Sequence, residues 1–144
     1  MKTLSLFIAA VGISFVSCGQ DIPDSKVPSV VLNAVKAKYP AASEVDWEKK
    51  KNFYEAEFDT DSIEHVVQVD AQGNILQHKY EIGLGELPAS VQENLKSAYA
   101  TFTVDDAAII EKQGQRYYEV ELEAKGQKDK KVIFTMDGKS ISKI

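Results

Sequence analysis

Apolar side chains recur along this chain with two spacings, one typical of helices and the other of strands. In VPSVVLNAVKAKYP (27–40) they return every three or four residues, which predicts an amphipathic helix with Pro28 in its first turn and Pro40 at its end. LPASVQENLKSAYA (87–100) repeats that spacing. Segments such as NFYEAEF (52–58) instead alternate apolar and polar residues, which predicts strands with one buried face.

The second half of the chain repeats the first. The matching segments, in order, are 27–40 with 87–100, NFYEAEF (52–58) with RYYEVEL (116–122), and VVQVDAQGNIL (66–76) with KVIFTMDGKSI (131–141). The offset is constant inside each pair and grows slightly from pair to pair, as expected for a duplicated unit with altered loops. Each unit, 27–86 and 87–144, is predicted to be one helix followed by four strands, so we predict an α+β fold of two tandem αββββ repeats.

The alternation of apolar and polar residues in the first two strands of unit one predicts which side chains point to the buried face of the sheet. EVDWEKK (44–50) places Trp47 on the apolar side, and the next strand places Tyr54 there. A tight turn at Lys50 and Lys51 would put Trp47 directly across from Tyr54. We therefore expect Trp47 to be buried between the helix and the sheet, opposite Tyr54.

The corresponding strands of unit two, in IIEKQGQRYYEVEL (109–122), have a glycine between them. Gly114 suits a longer turn, which sets Ile110 across from Tyr118. We expect Ile110 and Tyr118 to repeat the packing of Trp47 and Tyr54.

Short motifs in both units resemble the PepSY-like family of exported bacterial proteins. They are YP at the end of the first helix, YEAEF and YEVEL in the second strands, and VDAQGNIL and TMDGKSI at the last hairpins. The resemblance covers residues 27–144 and implies the architecture of the β-lactamase inhibitory protein, a curved antiparallel sheet with both helices packed on one face. It implies fold more than function. Because this chain lacks that inhibitor's disulfides, inhibition of a β-lactamase is not carried over.

The first residues of the chain are typical of an export signal. One lysine, Lys2, precedes the apolar run TLSLFIAAVGISFV (3–16), which is shorter than the roughly 20 residues that a membrane helix needs. FVSC (15–18) then resembles the lipobox of bacterial lipoproteins, in which the cysteine is acylated and becomes the new N-terminus. We interpret residues 1–17 as a lipoprotein signal peptide.

Cys18 is the only cysteine of the chain and is the predicted lipidation site. Residues 18–26 would form a short, polar, lipidated tether. The alternative is cleavage by the ordinary signal peptidase, with Cys18 left as a spare thiol, although an unpaired thiol is awkward in an oxidising compartment. We therefore expect a lipoprotein of the cell envelope, either periplasmic or anchored to the outer membrane.

The charge balance limits the partners. The chain has 17 Lys and Arg against 22 Asp and Glu, a formal net charge of −5 at pH 7. Nucleic acid and anionic lipid surfaces both attract basic proteins. We therefore expect no nucleic-acid partner, and contact with the membrane through the lipid anchor only.

The sequence contains no pattern typical of a catalytic site, so we do not expect an enzyme. His65 and His78 fall in strands and become diagonal neighbours if Val69 pairs with Leu76, which makes a metal pair conceivable. The favoured interpretation is a pair of histidines at the core edge, bonded to backbone or solvent. DTDSIE (59–64) lacks the glycine of a calcium loop and is interpreted as a turn. No metal or other cofactor is expected.

The sheet face turned away from the helices has the most informative pattern. In both units the second strand places one aromatic and two acidic residues on that face: Phe53, Glu55, Glu57, Tyr117, Glu119 and Glu121. Such a face either stays in water as an ordinary polar surface or meets a partner. The first function considered is therefore binding or modulation of an unidentified envelope or secreted protein. The alternative is a periplasmic binder of a small ligand or metal.

Overall fold

The computed structural model describes residues 19–144, which form two helices and nine strands. The helices are α1 (Ser29–Lys38) and α2 (Ala89–Ala98). The strands are β1 (Gln20–Asp21), β2 (Asp46–Lys49), β3 (Tyr54–Thr60), β4 (Ile63–Val69), β5 (Ile75–Ile82), β6 (Thr103–Lys112), β7 (Gln115–Glu123), β8 (Lys130–Thr135) and β9 (Ser140–Ile141). Neither helix in this described part has the length and apolar character needed to cross a bilayer.

All nine strands belong to one antiparallel sheet, and their order in space is their order in sequence. Along the chain, α1 is followed by β2 to β5 and α2 by β6 to β9. This is an open α+β sheet in which β5 and β6 join the first half of the chain to the second.

Both helices form where the three-and-four spacing predicts them. Pro28 and Pro88 immediately precede the helices, where the missing N–H of proline costs nothing. α1 buries Val31 and Val35, one helical turn apart, and α2 buries the pair Val91 and Leu95 in the same way.

The two helices pack on the same face of the sheet. One row of directly opposed residues crosses that face from β3 to β8: Phe58, His65, Tyr80, Ile109, Tyr118 and Phe134. Phe58 belongs to the cluster under α1, while Ile109, Tyr118 and Phe134 belong to the cluster under α2. We call this the helix face and the opposite side the open face.

Trp47 is buried under α1, as predicted, but its cross-strand partner differs. Its side chain is 4% exposed and lies opposite Ala56, whereas Tyr54 lies opposite Lys49. The predicted partner was wrong because the turn is centred on Lys51 and Asn52, with the Lys50 N–H donating to the Phe53 carbonyl at 2.9 Å, and not on Lys50 and Lys51. A shift of two residues keeps every side chain on its face, so the burial of Trp47 was still predicted correctly.

The prediction for Ile110 was wrong in a more consequential way. Gln113 and Gly114, both with positive φ, form a two-residue turn instead of a longer one. This one-residue change places Ile109 across from Tyr118 and turns Ile110 to the open face, opposite Tyr117. Ile110 is nevertheless only 3% exposed, and Lys79 and Tyr117 lie directly on either side of it.

The folded domain includes residues that the sequence predicted to be a tether. Gln20 and Asp21 form β1 against β2, and Ile22 is buried in the cluster under α1. A 3-10 turn at Asp24–Lys26 then leads into α1, as Leu84–Glu86 leads into α2. Most of the residues 18–26 therefore belong to the folded domain, while Cys18 and the signal segment 1–17 lie outside the described residues.

Candidate functional site

The open face contains the side chains that the sequence singled out. Glu55 and Glu57 of β3 and the three residues of β7 all point away from the helices, and Phe53 immediately precedes β3. The two groups are not adjacent, because β4, β5 and β6 separate them. Phe53 and Tyr117 are both half-buried.

One continuous row of opposed side chains joins the two groups across the open face. Its members are Glu57, Val66, Lys79, Ile110 and Tyr117. Lys79 lies in the middle of this row and donates a hydrogen bond to Glu119, with the two atoms 2.8 Å apart. The row makes the open face a single surface.

Three of the four predicted carboxylates already have partners within the protein. Glu119 pairs with Lys79 and, at 3.7 Å, with Lys131, which also lies 3.7 Å from Glu121. Glu55 accepts a hydrogen bond from Gln68 at 3.2 Å and lies 3.5 Å from the ammonium of Lys50. These three carboxylates are therefore partly neutralised.

Glu57 lies instead among other carboxylates. Partial burial raises the pKa of its carboxyl group, and the negative charges of Glu64 and Asp46 raise the pKa further. Burial also raises the pKa of Glu81, with Glu64 and Asp106 adding to the shift. These residues form an acidic band across the open face: Asp46, Glu57, Glu64, Glu81 and Asp106. Their repulsion would be relieved by a cationic group placed against the band.

The helix face has a second feature, a cleft of about 1040 Å³ above β5 and β6. The end of α1 and the β6–β7 hairpin form its walls, with Tyr39 on one side and Arg116 on the other. His78 and Glu111 line it, and the Glu111 carboxylate accepts a hydrogen bond from Arg116 at 2.9 Å. The cleft has a mixed polar and apolar lining and lies on the opposite side of the sheet from the acidic band.

His65 and His78 are diagonal neighbours, as predicted, and their hydrogen-bond partners are side chains, where the favoured interpretation named backbone or solvent. His65 Nδ1 lies 3.0 Å from His78 Nε2, and His65 Nε2 lies 2.7 Å from the Thr60 hydroxyl. Within residues 19–144 no three histidine, cysteine or acidic side chains come together as metal ligands would. Sequence alternation could place the two rings near each other but could not show that they bond.

An antiparallel sheet with two helices on one face and no helix on the other is typical of a class of small α+β domains with an open sheet face. The chain belongs to the beta-lactamase-inhibitor-like, PepSY-like family, whose sequence model matches residues 15–77 and again residues 76–142. Among curated proteins, none matches this sequence.

Several solved structures share the fold. A BLIP-like protein from Bacteroides fragilis is 27% identical, with a TM-score of 0.68 over 84% of this chain and 85% of that one. A DUF2874 family protein from Bacteroides uniformis is 24% identical, with a TM-score of 0.74 over 80% and 86%. A structure from Bacteroides eggerthii described as "putative periplasmic proteins" is 21% identical, with a TM-score of 0.75 over 81% and 86%.

Proposed function

We propose that this protein is a non-enzymatic, exported lipoprotein of the cell envelope that binds another protein through its open face. The partner presents a basic surface, because the acidic band would repel an acidic one. The observation that carries the proposal is the unbroken side-chain row from Glu57 to Tyr117 across the open face, with the acidic band beside it. Aromatic side chains supply contact area at small entropic cost, and carboxylates select the partner and speed encounter.

Similarity to the family supports the domain organisation of the proposal. We infer a duplicated αββββ unit, because the family model matches the chain twice and the same order of elements follows each helix. One solved relative is described as BLIP-like and another as periplasmic, which agrees with an exported binding protein.

Lipidation of Cys18 would hold the domain close to the membrane. Gln20 already belongs to β1, and two residues span at most about 7 Å. The acyl group would therefore keep the β1–β2 edge of the sheet near the lipid surface, and the open face would meet partners that lie within a short distance of the bilayer.

Replacing Cys18 with Ala should release the protein from the membrane fraction, because the acyl chains would be the strong apolar anchor of the mature protein. Fractionation of cells followed by high-salt washing and immunoblotting measures this. Ser17→Ala is the matched control, since it keeps a small residue before the cysteine and should leave the protein in the membrane pellet. A Cys18→Ala protein that resists the salt wash would contradict the lipoprotein assignment.

The partner can be sought with a photo-crosslinking amino acid placed on the open face in native cells. Positions Gln68 and Gln77 are opposed residues of that face, whereas Lys36 on α1 is exposed on the other side and serves as the control. A protein crosslinked from the open face only, identified by mass spectrometry, supplies the partner for binding measurements.

Changing Phe53 and Tyr117 together to Ala should weaken binding of that purified partner by about 2 kcal/mol or more, roughly thirtyfold. The reason is that aromatic side chains are enriched in protein interfaces, and tyrosine is among the residues enriched at binding hot spots. Isothermal titration calorimetry measures the change, with circular dichroism as the check on folding.

Val30→Ala with Met136→Ala is the matched control for that double variant. Both side chains are exposed apolar groups outside the open face, with Met136 59% exposed. Their loss should leave the affinity unchanged. Equal affinity of the native and aromatic double variants would place the interface elsewhere.

A small-ligand binder is the second candidate function, and the helix-face cleft favours it. Its volume of about 1040 Å³ suits a small molecule, and its walls offer polar groups from α1, β5 and β6. Native mass spectrometry of protein purified from its own cells distinguishes the two functions, because a co-purifying small molecule would add mass without any crosslinked protein.

A further inference from the structure

Four polar side chains on consecutive strands form a chain of contacts that crosses from the first half of the protein to the second. Thr60 ends β3, His65 lies on β4, His78 on β5 and Glu111 on β6. The Thr60 hydroxyl lies 2.7 Å from His65 Nε2, His65 Nδ1 lies 3.0 Å from His78 Nε2, and His78 Nδ1 lies 3.7 Å from Glu111 Oε2. Every ring nitrogen of the two histidines therefore faces a polar partner.

The two imidazole rings are arranged edge to edge. Their planes differ by only 13°, and their centroids are 5.3 Å apart while the facing nitrogens are 3.0 Å apart. That combination places both rings close to one plane with the nitrogens pointing at each other, which is the geometry of an N–H···N hydrogen bond. Aromatic neighbours hold the rings in place, with Phe58 beside His65 and Tyr39 and Tyr80 beside His78.

The Glu111 carboxylate determines which nitrogens donate and which accept along this chain of side-chain contacts. A carboxylate only accepts hydrogen bonds, so it favours a proton on His78 Nδ1, which leaves His78 Nε2 as an acceptor. His65 Nδ1–H then donates to His78, and the Thr60 hydroxyl donates to His65 Nε2. With both histidines neutral, three of the four ring nitrogens are hydrogen-bonded, and His78 Nδ1–H points toward the Glu111 carboxylate at 3.7 Å.

Counting protons shows how acidification changes this chain of hydrogen-bonded side chains. One added proton is accommodated at His65 Nε2, because the Thr60 hydroxyl can turn and accept instead of donate. A second added proton must go to His78 Nε2, where it would face the N–H of His65 at 3.0 Å. Two positive rings with opposed N–H groups cannot keep that contact.

We propose that His65 of β4 and His78 of β5 form a one-proton switch beside the junction of the two halves, where β5 pairs with β6. The two rings stay hydrogen-bonded when the pair carries no added proton or one added proton. A second added proton separates the rings. Separation loosens Tyr39, which packs on His78 with a centroid distance of 4.9 Å, and thereby the end of α1. The switch lies on the helix face and does not depend on the proposed partner binding.

The surroundings of the pair agree with weak proton affinity. Burial lowers the pKa of His65, against a smaller opposing effect of Asp59. Burial also lowers the pKa of His78, followed by the effect of His65 itself, while Glu111 raises it. The titratable and charged groups around the pair on the helix face are Lys38 and Tyr39 at the end of α1, Tyr80 of β5, Glu111 of β6 and Arg116 of β7, while Asp59 of β3 acts from the open face.

The sign of the linkage follows from these lowered pKa values. The folded protein binds fewer protons here than the unfolded chain, so the stabilisation is fully present above the ordinary histidine pKa of about 6.5 and is lost as the pH falls below it. The raised pKa values of Glu57 and Glu81 act in the opposite sense, because protonation relieves repulsion in the folded state. Measurements on the histidines themselves separate the two effects.

Imidazole nitrogen NMR of the full chain in detergent micelles tests the proposal without a mutation. We expect scalar coupling between His65 Nδ1 and His78 Nε2, Nδ1–H tautomers at neutral pH, and two titration steps separated by more than about one pH unit, as coupled sites show. Independent titration of the two rings near pH 6.5, with no coupling between them, would overturn the switch.

His78→Gln supplies a second measurement. His65 should then titrate in a single step, because the second imidazole to which its titration is coupled is gone. Gln113→Ala, on the exposed tip of the β6–β7 hairpin, is the control and should leave both steps unchanged. An unchanged His65 titration in His78→Gln would overturn the proposal, as would stoichiometric zinc binding by both rings of the native chain, which would make the pair a metal site.

Discussion

Trp47→Ala should lower the free energy of unfolding by about 3–5 kcal/mol, as truncations of large core side chains do. The indole is 4% exposed and packs in the cluster formed by α1 and the first strands, where Val31 and Val35 face it from the helix. Urea unfolding followed by circular dichroism measures the loss.

Met136→Ala is the control for that truncation, because its side chain is 59% exposed and its loss should change stability by no more than about 0.5 kcal/mol. A Trp47→Ala protein as stable as the control would show that the indole does not pack in the core. Such a result would also remove the basis for the β2–β3 register.

Gly138→Ala should destabilise the protein by about 2–5 kcal/mol, combining a left-handed backbone penalty of about 1–2 kcal/mol with about 1–3 kcal/mol for the forced displacement. Gly138 has φ +81° and lies in the β8–β9 turn, which is docked on α2. A β-carbon there would overlap the carbonyl of Ser90. The turn is held by hydrogen bonds from Ser90 to the Met136 carbonyl at 2.7 Å and from Asn94 to the Gly138 carbonyl at 3.0 Å.

Gly114→Ala separates the two causes. Gly114 has a similar φ of +74°, but no atom outside its own turn lies within 4 Å of an added β-carbon. It should therefore show only the backbone penalty, about 1–2 kcal/mol. Equal losses at Gly114 and Gly138, measured by urea unfolding, would mean that the contact between the β8–β9 turn and α2 contributes nothing to stability.

Local patterns predicted the helices, the alternation of the strands and the family. Val31 and Val35, like Val91 and Leu95, could be assigned to buried helix positions because helical spacing depends only on neighbours in sequence. The early start of the fold at Ile22 was missed, although a signal was present. Ile22 precedes Pro28 by the same interval as Ile82 precedes Pro88.

The register of neighbouring strands was predicted less well than their alternation, because register depends on the position and length of the turn between them. The error of two residues at β2–β3 left Trp47 on the helix face, whereas the error of one residue at β6–β7 moved Ile110 to the open face. A glycine in the sequence indicates a turn but does not show how many residues the turn contains. Gly114 could therefore be assigned to a turn, but not to the two-residue turn that it forms with Gln113.

The partners of polar side chains were decided by tertiary structure alone. The sequence placed Glu119 on the open face, but only the order of strands brings Lys79 and Lys131 beside it. It placed His65 and His78 near each other, but only the pairing of β5 with β6 adds Glu111 to the chain. Periodicity is a property of neighbours along the backbone, so the sequence by itself determined which faces are apolar and which family the chain belongs to. Charge neutralisation and proton sharing join strands that are distant in sequence, so only the folded sheet could decide them.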